Sequence, residues 1–302
     1  MSAHAGIPVG DQAGPSPAAC RRRLGHELRR LREARSLRLE DVVAHLGVQP
    51  STLSRIETGQ APTRTSYLTV LLDLYGVDDQ AWRELLADQA REGQRKSWHA
   101  ECDGLIGDGA DRYLDLEADA SRIRGYSVLA VPGLLQTQDY AAAACRAARP
   151  GLTTGQVGQF AVFQMRRQEQ ALLRAGRDMH LLIDQSVLLR MVGTPGVMAC
   201  QLKHLLAVAV DGRARLQVIP LANKAPAISP SFMILEFAES GGRDVGCFYG
   251  PGGQVVFARR DRDLASVSSA FEALALAAAS PALSIDLIKQ AATRWDARTN
   301  ER

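Results

Sequence analysis

No stretch of about 18 uninterrupted apolar residues occurs in this chain of 302 residues. Its first twenty residues, MSAHAGIPVGDQAGPSPAAC, lack the basic start and apolar centre of a signal peptide. Neither membrane insertion nor export is expected, and the reading is a cytoplasmic protein. Cysteine is sparse: Cys20, Cys102, Cys145, Cys200 and Cys247 are odd in number, far apart and never in a C-x-x-C pair. They read as buried or incidental thiols rather than metal ligands. The motifs of common catalytic sites are missing as well. There is no G-x-x-x-x-G-K-S/T phosphate loop, no G-x-S-x-G elbow and no H-E-x-x-H pair. The GHE at 25 to 27 has no second histidine beside it, and His180 and His204 read as ordinary, partly buried histidines. GPGG at 250 to 253 reads as a hairpin turn rather than a phosphate cradle. An enzyme is not expected, nor a cofactor or a metal.

The net charge of +3 carries no argument by itself, but its distribution does. Residues 21 to 64 hold ten arginines against five acids, and residues 65 to 95 hold three arginines against six acids. The basic stretch coincides with a run of short helical patterns. Leu24, Leu28 and Leu31 form one apolar stripe, on a helix whose other faces carry Arg22, Arg29, Arg30 and Arg32. Leu39, Val42, Val43 and Leu46 form a second, ended by Gly47, the residue best able to take a left-handed backbone. The next helix starts at Pro50, acceptable in a first turn because the amide hydrogen that proline lacks would have had no partner there. Leu53 and Ile56 point inward, and Thr58-Gly59 closes it. Two further helices follow, one with Leu68, Leu71, Leu72 and Tyr75 inward, the other with Trp82, Leu85 and Leu86. Two short helices around a glycine turn, the second with a small polar outer face, form a helix-turn-helix pattern. Glu57 would repel phosphates from a DNA-facing surface, so its expected place is an intradomain pair with an arginine such as Arg32.

On these residues, LRRLREARSLRLEDVVAHLGVQPSTLSRIETG (28 to 59), with SRIETG and LLDLYGV, resembles the XRE-type (Cro/repressor) helix-turn-helix domain, particularly its actinobacterial branch. The resemblance implies that the helix from Pro50 lies in the major groove while the preceding helix crosses the phosphate backbone. It places Gln49, Ser51, Thr52, Ser54 and Arg55 at base edges. Arg22, Arg29, Arg38 and Arg64 are the candidate phosphate contacts, which dominate affinity without reading sequence. Leu39 stands where many members have a phosphate-binding Gln, Val43 where Ala is common, and Thr52 where close relatives are often basic.

The expected organisation is a disordered tail at 1 to 20, an all-α five-helix DNA-binding domain at 21 to 92, a linker at 93 to 111, and an α/β domain with a mixed sheet at 112 to 302. In the last, 231 to 258 reads as a meander with Gly-rich turns. VPGLLQTQDYA (131 to 141), RRQEQALL (166 to 173), LIDQSVLLRMVG (182 to 193), MACQLKHLL (198 to 206) and LQVIPL (216 to 221) resemble the C-terminal domain of antitoxin-like regulators of the WhiJ type. As polar anchors for a ligand or partner, Arg124, Tyr126, Gln136, Arg167, Asp184 and Arg190 are candidates. The expectation is a transcriptional regulator that binds an inverted-repeat double-stranded DNA operator as a homodimer and senses a small molecule or partner protein. An antitoxin-like protein that sequesters a small neighbouring-gene product, with autoregulatory DNA binding, is the alternative.

Overall fold

The computed structural model describes residues 16–102, 104–172, 177–223, 230–238, 243–258 and 260–300, in two compact units that divide between Ser97 and Trp98. Residues 1–15 of the expected tail lie outside the described residues. The first unit holds five described helices: α1 (Pro17–Ala34), α2 (Leu39–Leu46), α3 (Pro50–Glu57), α4 (Thr65–Leu74) and α5 (Gln80–Gly93). Helix α1 starts earlier than composition suggested, because Ser16 Oγ accepts the Ala19 N–H at 3.1 Å, Pro17 opens the first turn, and Ala18, Ala19 and Cys20 are small enough to be buried. Gly47 ends α2 at φ 64°, and Asp79 caps α5 by accepting from Ala81 and Trp82. Leu24, Leu28, Val42, Leu53, Ile56, Leu68, Leu71, Leu72, Tyr75 and Leu86 form the core. Leu85 does not join it: at 47% exposed it faces solvent, and Ala90, one turn after Leu86, is buried instead.

The second unit is built on a mixed sheet of six described strands in the order β3-β2-β1-β4-β5-β6. Its elements run α6 (Ala110–Asp119), β1 (Arg122–Ser127), α7 (Gln138–Ala148), α8 (Thr154–Leu172), β2 (Asp178–Asp184), α9 (Gln185–Leu189), α10 (Pro195–Val210) and β3 (Arg215–Ile219). There follow β4 (Phe232–Glu236), β5 (Val245–Tyr249), β6 (Val255–Phe257), α11 (Asp261–Ala277) and α12 (Pro281–Asn300). Strands β1, β2 and β3 are parallel neighbours, and β4 to β6 form the antiparallel meander read from the sequence.

Alternation along the strands sends two sets of side chains to two faces. Ile123, Leu181, Ile183, Val218, Met233 and Leu235 pack with residues of α6, α7, α8, α10 and α12, including Tyr113, Tyr140, Leu202, Ile288 and Trp295. Tyr126, Leu182, Ile219, Phe232 and Ile234 pack against Val267, Phe271 and Leu274 of α11. Both sheet edges carry backbone partners. The Val218 N–H of β3 donates to Ser284 Oγ at 3.0 Å and its carbonyl accepts the Ala279 N–H at 2.8 Å, and the Val255 N–H of β6 donates to Asp108 O at 2.8 Å. A lone edge would invite pairing with another chain.

The segment read as a linker divides. Residues 98–111 belong to the second unit: Trp98 stacks on Phe163 at 5.3 Å, and His99 Nε2 lies 2.9 Å from Asp115. Glycine there serves close approach: a Cβ on Gly107 would stand 2.5 Å from the Gly253 carbonyl carbon. Among the described residues, no single helix is long and apolar enough to cross a membrane.

Candidate nucleic-acid interface

Helix α3 has one clamped side and one open side. On the clamped side Leu53 and Ile56 are buried, and Glu57 forms a two-pronged pair with Arg32 of α1: Nε to Oε1 at 2.7 Å and Nη2 to Oε2 at 2.9 Å. The side chains of Arg32 and Glu57 are only 10% and 4% exposed. Arg32, grouped from the sequence with the outer faces of α1, is therefore an internal group. Its third prong donates to Leu37 O at 2.8 Å, and its hydrogen bonds to Glu57 hold its pKa above the ordinary guanidinium value. Helix α1 approaches closely because position 25 is glycine; a Cβ there would lie 2.3 Å from the Ile56 carbonyl oxygen.

On the open side Gln49, Ser51, Ser54 and Arg55 are exposed, and Thr52 is half-buried. Gln49 is the N-cap residue of α3, yet its side chain makes no capping bond. The C-terminal end is tied down: Thr58 Oγ1 donates to Ser54 O at 2.8 Å, and the Gln60 N–H donates to Arg55 O at 2.8 Å. Gly59, at φ 69°, lets the chain turn directly over Arg22, whose Cα would be 2.7 Å from an added Cβ. This turn adds two exposed polar residues, Thr58 and Gln60, that helical periodicity does not pick out.

The four candidate phosphate arginines sit differently. Arg38 and Arg64 are exposed N-cap residues of α2 and α4, so each cation adds to the positive end of a helix dipole. The Arg38 N–H itself donates to Asp41 Oδ2 at 2.8 Å, and the Arg64 guanidinium lies 5.6 Å from the Tyr67 ring centre. Arg29 is exposed but paired with Glu33 at 2.7 Å, which reduces its attraction for a phosphate. Arg22 is half-buried against Gly59.

The six anchor candidates of the second unit do not converge on one place. Arg124 and Tyr126 lie on the α11 face of the sheet, whereas Gln136 and Arg167 lie on the other side. Arg124 bridges Glu236 at 2.5 Å and Glu272 at 2.6 Å, with its guanidinium 5.1 Å from the Phe271 ring centre. Arg167 pairs twice with buried Glu117, both at 2.6 Å. Gln136 donates to Val131 O at 2.8 Å, and its own carbonyl accepts from Gln168 at 2.6 Å. Asp184 caps α9, and Arg190 is its exposed C-cap residue. His180 is buried, with Nε2 2.8 Å from Gln217 Oε1 and Phe271 edge-on at 5.0 Å. Burial, ahead of every other influence, holds its pKa below the ordinary histidine value.

Comparison with family models finds a helix-turn-helix domain at residues 23–86 and a domain of unknown function, DUF5753, at residues 110–290. No curated protein and no solved structure matches the chain.

Proposed function

We propose that this chain, a DNA-binding regulator which belongs to the DUF5753 family and carries a helix-turn-helix domain ahead of that region, reads an inverted-repeat operator as a homodimer. Its second domain sets the dimer and responds to an effector. The observation that carries the reading is the two-sidedness of α3: one flank is locked by the Arg32–Glu57 pair, and the other presents Gln49, Ser51, Ser54 and Arg55 to solvent. Such a helix enters the major groove with its N-terminal residues at base edges. The planar fork of Arg55 suits guanine O6 and N7, and the Gln49 amide suits adenine. Arg38 and Arg64 supply sequence-independent attraction. The likeness of residues 28–59 to XRE-type domains supports the groove assignment, and the WhiJ-type likeness of the second domain supports an effector or partner role for it. Val218 and Val255 on the two sheet edges already have partners, which favours dimerisation through side-chain surfaces over strand addition.

Effector binding alters DNA affinity only insofar as it favours one arrangement of the dimer over another. Catalysis forms no part of this reading. The test is genome-wide chromatin precipitation with the wild type and Arg55→Ala. The variant is expected to lose the wild-type sites, with a discrimination loss of ~1–3 kcal/mol at one base pair per half-site. An unchanged set of sites would show that Arg55 is not a base reader.

A further inference from the structure

Strands β1 and β2 run parallel in a register that sets Tyr126 beside Leu182. Side chains alternate between faces, so Tyr126, Leu182 and, two residues on, Asp184 share one face of the sheet at the carboxyl ends of adjacent parallel strands. Tyr126 is 5% exposed, its ring packed against Phe232 at 5.9 Å, yet its hydroxyl has no hydrogen-bond partner among the described residues. One oxygen of Asp184 accepts the Ser186 N–H at 2.9 Å, and no arginine, lysine or histidine among the described residues pairs with this carboxylate. The surrounding polar groups are occupied. Ser186 Oγ donates to Val128 O at 3.1 Å, Ser231 Oγ accepts from the Val128 N–H at 3.1 Å, and Gln185 Oε1 accepts from the Leu221 N–H at 2.9 Å.

What remains is a carboxylate with no cation among the described residues, a nearly buried phenol on the same face of the sheet, and two apolar side chains on the adjoining loops, Leu129 and Leu221, that are 65% and 61% exposed. Open sheets with parallel strands bind ligands outside the carboxyl ends of those strands. Burial, and then the Asp184 charge, raises the Tyr126 hydroxyl above its ordinary pKa, so it stays protonated. The carboxylate, with the phenol oxygen as a neutral acceptor on the same face, is complemented by a cationic group that donates hydrogen bonds.

We propose that the carboxyl edge of β1 and β2 is a binding site for a ligand bearing a primary ammonium group, which pairs with Asp184 and donates to Tyr126 Oη while its apolar part lies along Leu129 and Leu221. This proposal rests on the reading of the second domain as the effector-responsive one.

The test uses full-length protein carrying 13C-labelled leucine methyls, titrated with n-butylammonium chloride and, as the uncharged counterpart, n-butanol. Saturable shifts at Leu182 and Leu129 with the ammonium but not the alcohol are expected. Asp184→Asn keeps a good helix-capping residue and should weaken binding about ten-fold or more, the usual scale for losing a hydrogen bond to a charged group. Tyr126→Phe keeps the ring and should weaken it less. No saturable shift, an equal response to butanol, or undiminished binding by Asp184→Asn overturns the site. A parallel DNA titration separates the two ideas: saturable binding that changes DNA affinity supports both, and saturable binding with DNA affinity unchanged keeps the site while overturning the effector reading.

Discussion

Glu57 puts a negative charge at the foot of a helix proposed to approach a polyanion, and the protein tolerates it because Arg32 neutralises it inside the fold. Removing one partner of a buried pair leaves the other uncompensated, which costs about 3–5 kcal/mol. Glu57→Ala is therefore expected to destabilise the first domain by that order, measured by urea denaturation, and to weaken DNA binding as α3 loses its clamp. This pairing was legible in the sequence because an acid in that position is unfavourable on a DNA-facing surface. Leu85 was not legible: spaced three residues from Trp82, it fits the helical stripe, but α4 and α1 reach the Leu86 flank of α5 instead. The role of Gly25 was equally hidden, since it appears only when the Ile56 carbonyl oxygen is placed against it.

At the scale of elements, local chemistry predicted well wherever a cap or a turn residue is present. Gly47 and Pro50 bound their helices as read, and Pro195 opens α10 where Thr194 caps it by accepting from Val197. Two expectations failed where a composition rule stood in for geometry. Ser16-Pro17 starts α1 within the supposed tail, and residues 98–111 pack into the second unit despite their glycines. Strand β2 and helix α10 also carry two histidines, His180 and His204, whose pKa values are lowered from 6.5 chiefly by burial. The sign follows directly. Below 6.5 the unfolded chain binds protons that the folded domain does not, so this stabilisation is complete above that pH and is lost as the pH falls from it toward the folded values. Thermal unfolding of the wild type should thus show stability falling with pH below that point, by at most about 1.4 kcal/mol per pH unit for each histidine. His180→Gln should flatten the slope.

For the whole molecule, the pairing of a basic front with a nearly neutral remainder matters more than the net +3. Phosphate contacts release counterions, so log affinity for operator DNA should fall steeply and linearly with log salt. Arg38→Ala and Arg64→Ala are each expected to reduce that slope by ~0.9 per protomer while leaving sequence preference unchanged. Arg29→Ala should change it less, because Glu33 already holds that cation. Fluorescence anisotropy across a salt series checks all three, and a flat dependence would remove the arginines from the interface. On the proposed dimer, half-sites should lie ~34 Å apart, one turn of the duplex, and inserting half a turn between them should abolish binding.

The residues alone determined the helix-turn-helix, most element positions and the Arg32–Glu57 pairing, because these depend on periodicity, caps and charge sign within short stretches of chain. Only the tertiary structure decided which anchors share a face. Arg124 and Tyr126 are parted from Gln136 and Arg167 by the sheet, and the junction of Tyr126 with Asp184 depends on the parallel pairing of strands more than fifty residues apart. Register and crossover are long-range choices, made by the packing of both sheet faces at once.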